Sequence, residues 1–322
     1  MRRVFWAICA LLIAGPAFAQ AYPSRPITIV VAYAPGGTTD VLARIMAKAM
    51  TAQLGQSVIV ENVGGAGGTT GTQRVVRAEP DGYTLTIGNM GSFAANVSLY
   101  PNLSFDPRKD LAPIGLIATI PMVVSASKKS GITDMAGFLK RLREKEGSVN
   151  IGTAGIGSTS HLAAVAFQHV TKTKATLVNY RGSGPSITDL VAGVVDVVFD
   201  QTVTMIPMHK GGSVTAFGVS SKARIAQLPD VPTFIEGGVS EFDLSVWNAM
   251  MAPKGTPPEI VAKLEAALSA SLDDPEVKQR FSDLAAPAPE AAERGAAHLG
   301  KLVARDVDRL GDIVRAAGVK VE

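Results

Sequence analysis

The fold of this chain is most constrained by a unit that recurs along it: a short apolar strand, a glycine-rich loop and a helix. Residues 27–32 form a continuous run of mainly β-branched side chains, which is typical of a strand buried on both faces of a parallel sheet. Residues 34–40 read Ala-Pro-Gly-Gly-Thr-Thr-Asp, and apolar residues then recur at helical spacing from Leu42 to Ala49. Strands that alternate with helices predict an α/β fold with mostly parallel sheets.

The same unit is predicted at several further places. Predicted strands occupy residues 57–61, 83–87, 149–152, 175–180 and 194–199. From residue 257 onward apolar residues recur at helical spacing, so this segment needs a sheet on which to pack. We expect it to return to the first domain. The chain would then cross between domains near residues 120–121 and again near residues 245–248, and such a double crossing can act as a hinge.

The N-terminus has the features of a secretory signal peptide. Two arginines precede an apolar stretch at residues 4–14 that is too short to span a bilayer, and residues 17–19 (Ala-Phe-Ala) provide a small-residue cleavage site. We therefore predict a signal peptide over residues 1–19. Cys9, the only cysteine in the sequence, lies inside this segment, so the mature chain would contain no thiol.

Charge and length limit the class of protein further. The formal net charge is +3, and removal of the two N-terminal arginines lowers it to +1, so no excess of charge draws the protein to nucleic acid or to an anionic membrane. The remaining length of about 300 residues exceeds what one compact core usually organises. We predict two lobes, the first formed by residues 20–121 and 246–322, and the second by residues 122–245.

Two of the glycine-rich loops, residues 35–40 and 155–160, have the composition of an anion-binding loop. In open parallel sheets, ligands lie beyond the carboxyl ends of the strands, where the helices begin. Glycine lets the backbone approach a ligand closely, and the amides that open the next helix point outward with the positive end of its dipole. The second loop adds hydroxyls that can donate to a carboxylate. Glycine and threonine before a helix also suit an ordinary capped turn, so both interpretations stay open at this point.

The signatures of common enzyme classes are missing from the sequence. It contains no G-x-S-x-G nucleophile elbow, no H-E-x-x-H zinc motif and no G-x-x-x-x-G-K-[ST] phosphate loop. His161 falls in the first turn of a predicted helix and is interpreted as a structural hydrogen-bonding residue. Asp40 caps a helix start, whereas Asp200 at a strand end can accept a hydrogen bond from a ligand amine or hydroxyl. We therefore predict a protein that is not an enzyme and that holds no cofactor or metal.

Short blocks spread over almost the whole chain carry a family resemblance. They are residues 22–27 (YPSRPI), 34–40 (APGGTTD), 61–68 (ENVGGAGG), 80–85 (PDGYTL), 155–163 (GIGSTSHLA), 180–182 (YRG), 228–233 (LPDVPT) and 252–258 (APKGTPP). Each block alone is modest, but their number and order make the match strong. The sequence resembles the tripartite tricarboxylate transporter substrate-binding proteins, the Bug family.

The resemblance implies a periplasmic binding protein of type II, a Venus flytrap whose two lobes are joined by two hinge crossings. In that family a small organic carboxylate is held between the lobes, mainly through main-chain amides and bridging water at two strand-to-helix loops. The receptor then delivers it to the permease subunits of a tripartite membrane transporter. We therefore expect a monomeric periplasmic receptor with no nucleic acid among its partners.

The resemblance also assigns positions to the binding site. Carried over by position, the binding loops are residues 35–40 and 155–161, and a loop at residues 89–93 also lines the cleft. Arg181 would either neutralise a ligand carboxylate or only support its loop. The expected ligand-binding residues are Tyr33, Pro35, Gly36, Gly37, Thr38, Thr39, Asp40, Gly91, Ser92, Gly157, Ser158, Thr159, Ser160, His161, Arg181 and Asp200.

Other functions and several ligands stay open at this level. The same binding protein could present its liganded state to a membrane sensor kinase instead of a permease, and sequence does not separate the two. A secreted hydrolase on an α/β scaffold is disfavoured because the nucleophile and metal motifs are missing. Dicarboxylates, tricarboxylates, acidic amino acids and aromatic acids all need the same set of amides, so the ligand itself is not specified.

Overall fold

The computed structural model describes residues 22–240, 242 and 244–316, and the predicted signal peptide lies outside these residues. In the described ranges, no helix has the length and apolar character that a membrane span requires. The strands are β1 (Ile27–Val31), β2 (Val58–Asn62), β3 (Thr84–Asn89), β4 (Leu111–Ser127), β5 (Asn150–Thr153), β6 (Thr176–Asn179), β7 (Val197–Gln201), β8 (Val214–Val219) and β9 (Ser245–Pro253). The helices are α1 (Thr38–Leu54), α2 (Thr69–Val76), α3 (Asn96–Leu99), α4 (Pro107–Asp110), α5 (Met135–Glu144), α6 (Thr159–Thr171), α7 (Ser183–Ala192), α8 (Thr202–Lys210), α9 (Pro258–Asp273), α10 (Pro275–Asp283) and α11 (Ala296–Ala316).

The strands form a mixed sheet, and the α/β class predicted from the sequence is confirmed. The strand order is β2-β1-β3-β9-β4-β7-β5-β6, with β8 pairing to β4. Pairing is parallel where β1 meets β2 and β3, and where β5 meets β6 and β7. It is antiparallel wherever β4 or β9 takes part. The parallel groups therefore lie on the two sides of an antiparallel centre.

The long strand β4 belongs to both halves of this sheet. Its first part, residues 111–121, pairs with β9, whereas residues 122–127 pair with β7 and β8. We call the part built on β1, β2, β3 and β9 the first lobe, and the part built on β5 to β8 the second lobe. The chain passes from the first to the second within β4 and returns at β9. The domain boundaries at residues 121–122 and 245–246 remain a prediction.

The C-terminal helices pack on the first lobe. Helix α9 lies against α1 and β4, and α11 lies against β4 and the turn formed by residues 91–95. Leu299, Val303 and Leu310 of α11 are buried at helical spacing. Trp247 on β9 donates a 2.7 Å hydrogen bond from Nε1 to Oδ2 of Asp306, which fixes α11 to the sheet. The C-terminal helices therefore complete the first lobe.

Aromatic rings form the core of the second lobe beneath its strands. The ring centroid of Phe199 on β7 lies 5.4 Å from that of Phe167 and 6.2 Å from that of Phe234, and all three side chains are fully buried. Burial of one phenylalanine side chain stabilises the fold by roughly 1.5–3 kcal/mol. Because successive side chains of a strand point to opposite faces, the packing of Phe199 directs the next residue, Asp200, away from this core.

Candidate functional site

A small cavity lies between the two lobes, beyond the carboxyl ends of their parallel strands. Its walls from the first lobe are Tyr33, Gly37, Thr38, Thr39, Asp40 and Asn89, and its walls from the second lobe are Ala154, Ser158, Thr159, Ser183, Asp200 and Gln201. The centre of a water molecule can occupy only about 10 Å³ of this cavity. A buried water needs roughly 10–15 Å³ on this measure, so the space holds about one. The lobes are therefore closed on each other in this structure.

Four helices, α1, α6, α7 and α8, begin at this cavity, and each is the next helix after a parallel strand of its lobe. The residues before α1, α7 and α8 are Gly37, Gly182 and Gln201, and none of them makes a side-chain cap hydrogen bond. The first N–H groups of a helix have no acceptor within the helix, so an uncapped start leaves them available. Such N–H groups, together with the positive end of the helix dipole, favour an anion.

Helix α1 illustrates the point most directly. Its first main-chain hydrogen bond runs from the N–H of Val41 to the carbonyl oxygen of Gly37 at 3.0 Å. The N–H groups of residues 38–40 therefore have no acceptor within the helix. Helix α6 differs, because Oγ of Ser158 accepts from the N–H of His161 at 3.2 Å and caps that helix. The uncapped amides are thus concentrated at α1 on one side and at α7 and α8 on the other.

Asp40, in the first turn of α1, uses both carboxylate oxygens within the first lobe. Oδ2 accepts from the N–H of Gly36 at 3.0 Å and from Nε of Arg44 at 3.1 Å. Oδ1 accepts from Nη2 of Arg44 at 2.9 Å and from Nδ2 of Asn62 at 2.8 Å. Burial alone would raise the pKa of Asp40, but these donors outweigh burial and the pKa lies below its ordinary value. Asp40 is therefore an ionised brace for the loop before α1.

Asn89 at the end of β3 faces the cavity, and its neighbours hold its side chain in place. Oδ1 of Asn89 accepts from the N–H groups of Gly91 at 3.0 Å and Ser92 at 3.4 Å. The hydroxyl of Tyr33 lies 3.3 Å from the same oxygen and 3.1 Å from the carbonyl oxygen of Gly67, so its single proton is shared between these two acceptors. Burial raises the pKa of Tyr33, which keeps it a neutral donor. Nδ2 of Asn89 donates to Oγ1 of Thr39 at 3.4 Å. Gly91 and Ser92 thus orient Asn89 and do not line the cavity themselves.

The loop before α6 is braced in a similar way. The hydroxyl oxygens of Ser158 and Ser160 lie 3.1 Å apart. Nδ1 of His161 accepts a long 3.5 Å hydrogen bond from the N–H of Gly157. Burial lowers the pKa of His161 to about 4, so the imidazole is neutral at physiological pH. Ser158 therefore lines the cavity, while Gly157, Ser160 and His161 support the loop behind it.

Asp200 is a buried carboxyl at the wall contributed by the second lobe. Its side chain is shielded from solvent, and Oδ2 accepts from the hydroxyl of Thr204 at 2.9 Å. Burial raises the pKa of Asp200 to about 6, and hydrogen bonds from the Gln201 amide, Thr204 and Ser183 limit the rise. In the described part of the chain, no group of three or more His, Cys, Asp or Glu side chains could hold a metal ion. The hydrogen bonds that Asp200 accepts thus come from residues of its own lobe.

Two buried polar atoms at or beside the cavity have no hydrogen-bond partner among the described residues. They are Oγ1 of Thr38, which lines the cavity, and Oδ1 of Asn248 on β9. Nδ2 of Asn248 donates to Oε1 of Gln201 at 2.7 Å, which links the two lobes. A buried polar atom without a partner costs roughly 1–3 kcal/mol, so such atoms are uncommon and call for an explanation. A hydroxyl left unpaired beside an uncapped helix start is suited to a polar ligand.

The remaining predicted residues lie at the rim of the cavity. Pro35, Gly36 and the side chain of Arg181 are exposed. The N–H of Ala34 donates a 3.0 Å hydrogen bond to the carbonyl oxygen of Arg181, and this bond joins the two lobes. The contact that Arg181 makes across the rim therefore comes from its backbone.

Sequence reasoning did not name Asn89, Ala154, Ser183 and Gln201 as ligand-binding residues, yet they line the cavity. Ser183 opens α7 and Gln201 ends β7, so both stand where a strand gives way to a helix. The strand-end rule that selected residues 35–40 would have selected these two as well. Asn89 belongs to the loop at residues 89–93, which the family resemblance had indicated. Its position in the cavity wall depends on contacts with Thr39 and Gly91, which no local sequence pattern reveals.

Comparisons with known proteins show similarity to one family. Residues 42–319 match the family described as "Tripartite tricarboxylate transporter family receptor". The chain is 42% identical over 300 residues to an Agrobacterium vitis protein, the "UPF0065 protein in the TAR-I ttuE-ttuC' intergenic region", covering 93% of this chain and 86% of that protein.

Two solved structures are similar over nearly their whole length. The periplasmic binding protein BugD has a TM-score of 0.90 at 35% identity, with 94% of this chain and 100% of that chain covered. MatC from Rhodopseudomonas palustris, solved with bound malate, has a TM-score of 0.87 at 38% identity, with 91% and 100% covered. The fold is therefore that of the periplasmic solute-binding proteins, in agreement with the type II, two-lobed architecture predicted from the sequence.

Proposed function

The chain belongs to the tripartite tricarboxylate transporter receptor family, and from that premise we propose that it captures a small organic carboxylate between its lobes. It would then deliver this ligand to the permease subunits of a tripartite membrane transporter. The observation that carries the proposal is the meeting of three uncapped helix starts, those of α1, α7 and α8, at one interlobe cavity. The malate bound to the similar protein MatC supports a carboxylate as the ligand class.

The electrostatics of the cavity support an anionic ligand. Asp40 is an ionised carboxylate, but Arg44, Asn62 and the N–H of Gly36 already satisfy it. The uncapped N–H groups and the unpaired hydroxyl of Thr38 are donors that need an acceptor. A hydrogen bond to a charged group contributes about 1.5–3 kcal/mol, so a few such bonds suffice for micromolar binding.

Closure of the lobes would capture the ligand. The cavity of this closed form holds about one water, too little space for an organic acid, so a ligand has to enter while the lobes are apart and bind as they close. The predicted hinge lies where the chain crosses between the lobes, near residues 120–121 and 245–248. A permease that recognises only the closed form would then bind the loaded receptor in preference to the unloaded one.

The location and partners follow from the same proposal. Residues 1–19 would be cleaved as a signal peptide during export, and the mature chain would act in the periplasm as a monomer. The family is a receptor family, and we extend this to the chain as an absence of catalysis and of any cofactor. Delivery to a permease, rather than to a sensor kinase, predicts that deletion of the gene abolishes uptake of the acid.

A binding screen tests the proposal. The mature chain, residues 20–322, is heated with each member of an organic-acid panel that includes L-malate, succinate, citrate, L-aspartate and benzoate. A ligand at 100 times its dissociation constant stabilises the folded chain by about 2.7 kcal/mol, which raises the melting temperature measurably. Calorimetric titration then gives the dissociation constant. A panel in which no acid shifts the melting temperature at millimolar concentration would contradict the proposal.

A further inference from the structure

At the start of α7, a glycine of the second lobe lies close against the backbone of the first lobe. A β-carbon placed on Gly184, the second residue of α7, would lie 1.9 Å from the carbonyl oxygen of Pro35 and 3.0 Å from its carbonyl carbon. The next nearest atom is Cα of Gly36, at 3.4 Å. All three atoms belong to the loop before α1 in the first lobe. They are backbone atoms, so they cannot rotate out of the way as the end of a side chain would.

The backbone of Gly184 itself does not require glycine. Gly184 lies inside a helix, and its φ is outside the left-handed region. Glycine in a helix is less favourable than alanine by roughly 0.8–1 kcal/mol, although the cost is smaller near a helix end. The residue is therefore unfavourable for its own helix, and the space it leaves is needed only by the opposite lobe.

Gly184 stands next to the part of α7 that reaches the cavity. Ser183, the first residue of α7, lines the cavity, and Gly182 before it provides no side-chain cap. A β-carbon at Gly182 would lie 2.6 Å from the N of Ala34, so the approach is close along this whole edge. The depth to which the α7 start enters the site is thus set by the fit of residues 182–184 against residues 34–36.

We propose that Gly184 is a positioning residue for ligand capture, because only a residue without a side chain lets the start of α7 close onto Pro35. This inference rests on the proposed function. A methyl group at this position would hold the two loops apart by about 1 Å, since non-bonded carbon and oxygen atoms do not approach within about 3 Å. Hydrogen bonds have a working range of about 2.7–3.2 Å, so such a displacement breaks those that span the lobes.

The effect on binding would be selective for the closed form. With the lobes apart, a methyl group on Gly184 would not meet Pro35, and α7 would be slightly more stable. The amides of α1 would still bind the ligand weakly from the first lobe. G184A should therefore weaken ligand binding at least tenfold, mainly through faster dissociation, while the melting temperature without ligand stays the same or rises.

The first experiment compares G184A with a matched control, G300A. Gly300 lies in α11, where a β-carbon would make an ordinary 3.7 Å contact with Cγ of Pro113. Calorimetry and stopped-flow kinetics with L-malate give the affinity and the dissociation rate of each variant. Affinity should fall in G184A and stay unchanged in G300A. Affinities of G184A and the parent within a factor of two would overturn it.

The second experiment needs no ligand, so it separates this inference from the proposed function. The N–H of Ala34 donates to the carbonyl oxygen of Arg181 across the lobes, so its protection from hydrogen–deuterium exchange reports closure of the ligand-free chain. G184A should lower this protection at least tenfold, whereas G300A should not. Unchanged protection in G184A would contradict the role of Gly184 even if L-malate does not bind.

Discussion

The hydroxyl of Tyr100 donates a 2.7 Å hydrogen bond to the carbonyl oxygen of Ile156. Tyr100 follows α3 in the first lobe, and Ile156 lies in the loop before α6 in the second. Burial raises the pKa of Tyr100, so the hydroxyl stays protonated and able to donate. A second interlobe bond runs from the N–H of Ala34 to the carbonyl oxygen of Arg181. Both require the two lobes to be together.

We expect the substitution Y100F to weaken ligand binding threefold to tenfold. It removes one interlobe hydrogen bond, whose net contribution is about 0.5–1.5 kcal/mol, and leaves each lobe intact. Calorimetric titration with the acid found in the screen measures the change. Y83F is the control, because the Tyr83 hydroxyl bonds to the N–H of Ser24 within the first lobe. Equal losses in both variants would mean that the Tyr100 bond has no special role in closure.

The substitution T38V should weaken binding without destabilising the ligand-free chain. The Thr38 hydroxyl is buried with no partner among the described residues, so its removal costs the fold no hydrogen bond. A lost hydrogen bond to an anion costs about 1.5–3 kcal/mol, or roughly tenfold to a hundredfold in affinity. T86V is the matched control, since Oγ1 of Thr86 on β3 is also buried and unpaired but does not line the cavity. Unchanged affinity in T38V would show that the Thr38 hydroxyl does not bind the ligand.

Asp200 should make the ligand-free protein less stable as the pH rises from about 4 to about 6. Burial raises the folded-state pKa of this carboxyl from 3.8 to about 6, so between these values the folded chain binds more protons than the unfolded one. Above pH 6, D200N should therefore be more stable than the parent, by at most about 3 kcal/mol. Urea unfolding at several pH values tests this. The difference should shrink towards pH 3, and a constant difference across the range would contradict the assignment.

His161 should have the opposite effect on stability. Burial lowers its folded-state pKa from 6.5 to about 4, so stability is present above pH 6.5 and is lost as the pH falls towards 4. H161Q, which cannot titrate, should therefore lose less stability than the parent as the pH falls from 6.5 to 4. The most direct measurement is an NMR titration of the imidazole in the parent protein, with an expected midpoint near 4. A midpoint near 6.5 would show that the ring is accessible to water.

Sequence reasoning located the strand-to-helix loops because their signals are local. A buried parallel strand appears as a continuous apolar run, and the glycine-rich loop after β1 marks the turn into α1. Since such loops gather at the carboxyl ends of the strands, Thr38 and Ser158 could be assigned to one cavity before the fold was known. The structure places both in its wall.

The antiparallel centre of the sheet could not be predicted in the same way. Strand β4 contains Pro113 and Pro121, which argue against a central strand when only the sequence is considered. Its pairing with β9 joins segments more than 100 residues apart, and shifts in register occur near Pro113 and Leu116. The Asn248–Gln201 contact depends on this pairing, so no local pattern indicated it.

Crystallisation of the mature chain with a bound organic acid tests the central claim most directly. The account predicts that carboxylate oxygens of the ligand lie within 3.2 Å of main-chain nitrogens in the first turn of α1 and of main-chain nitrogens at the start of α7 or α8. A ligand bound outside this cavity, or one whose carboxylate contacts none of these nitrogens, would contradict the account.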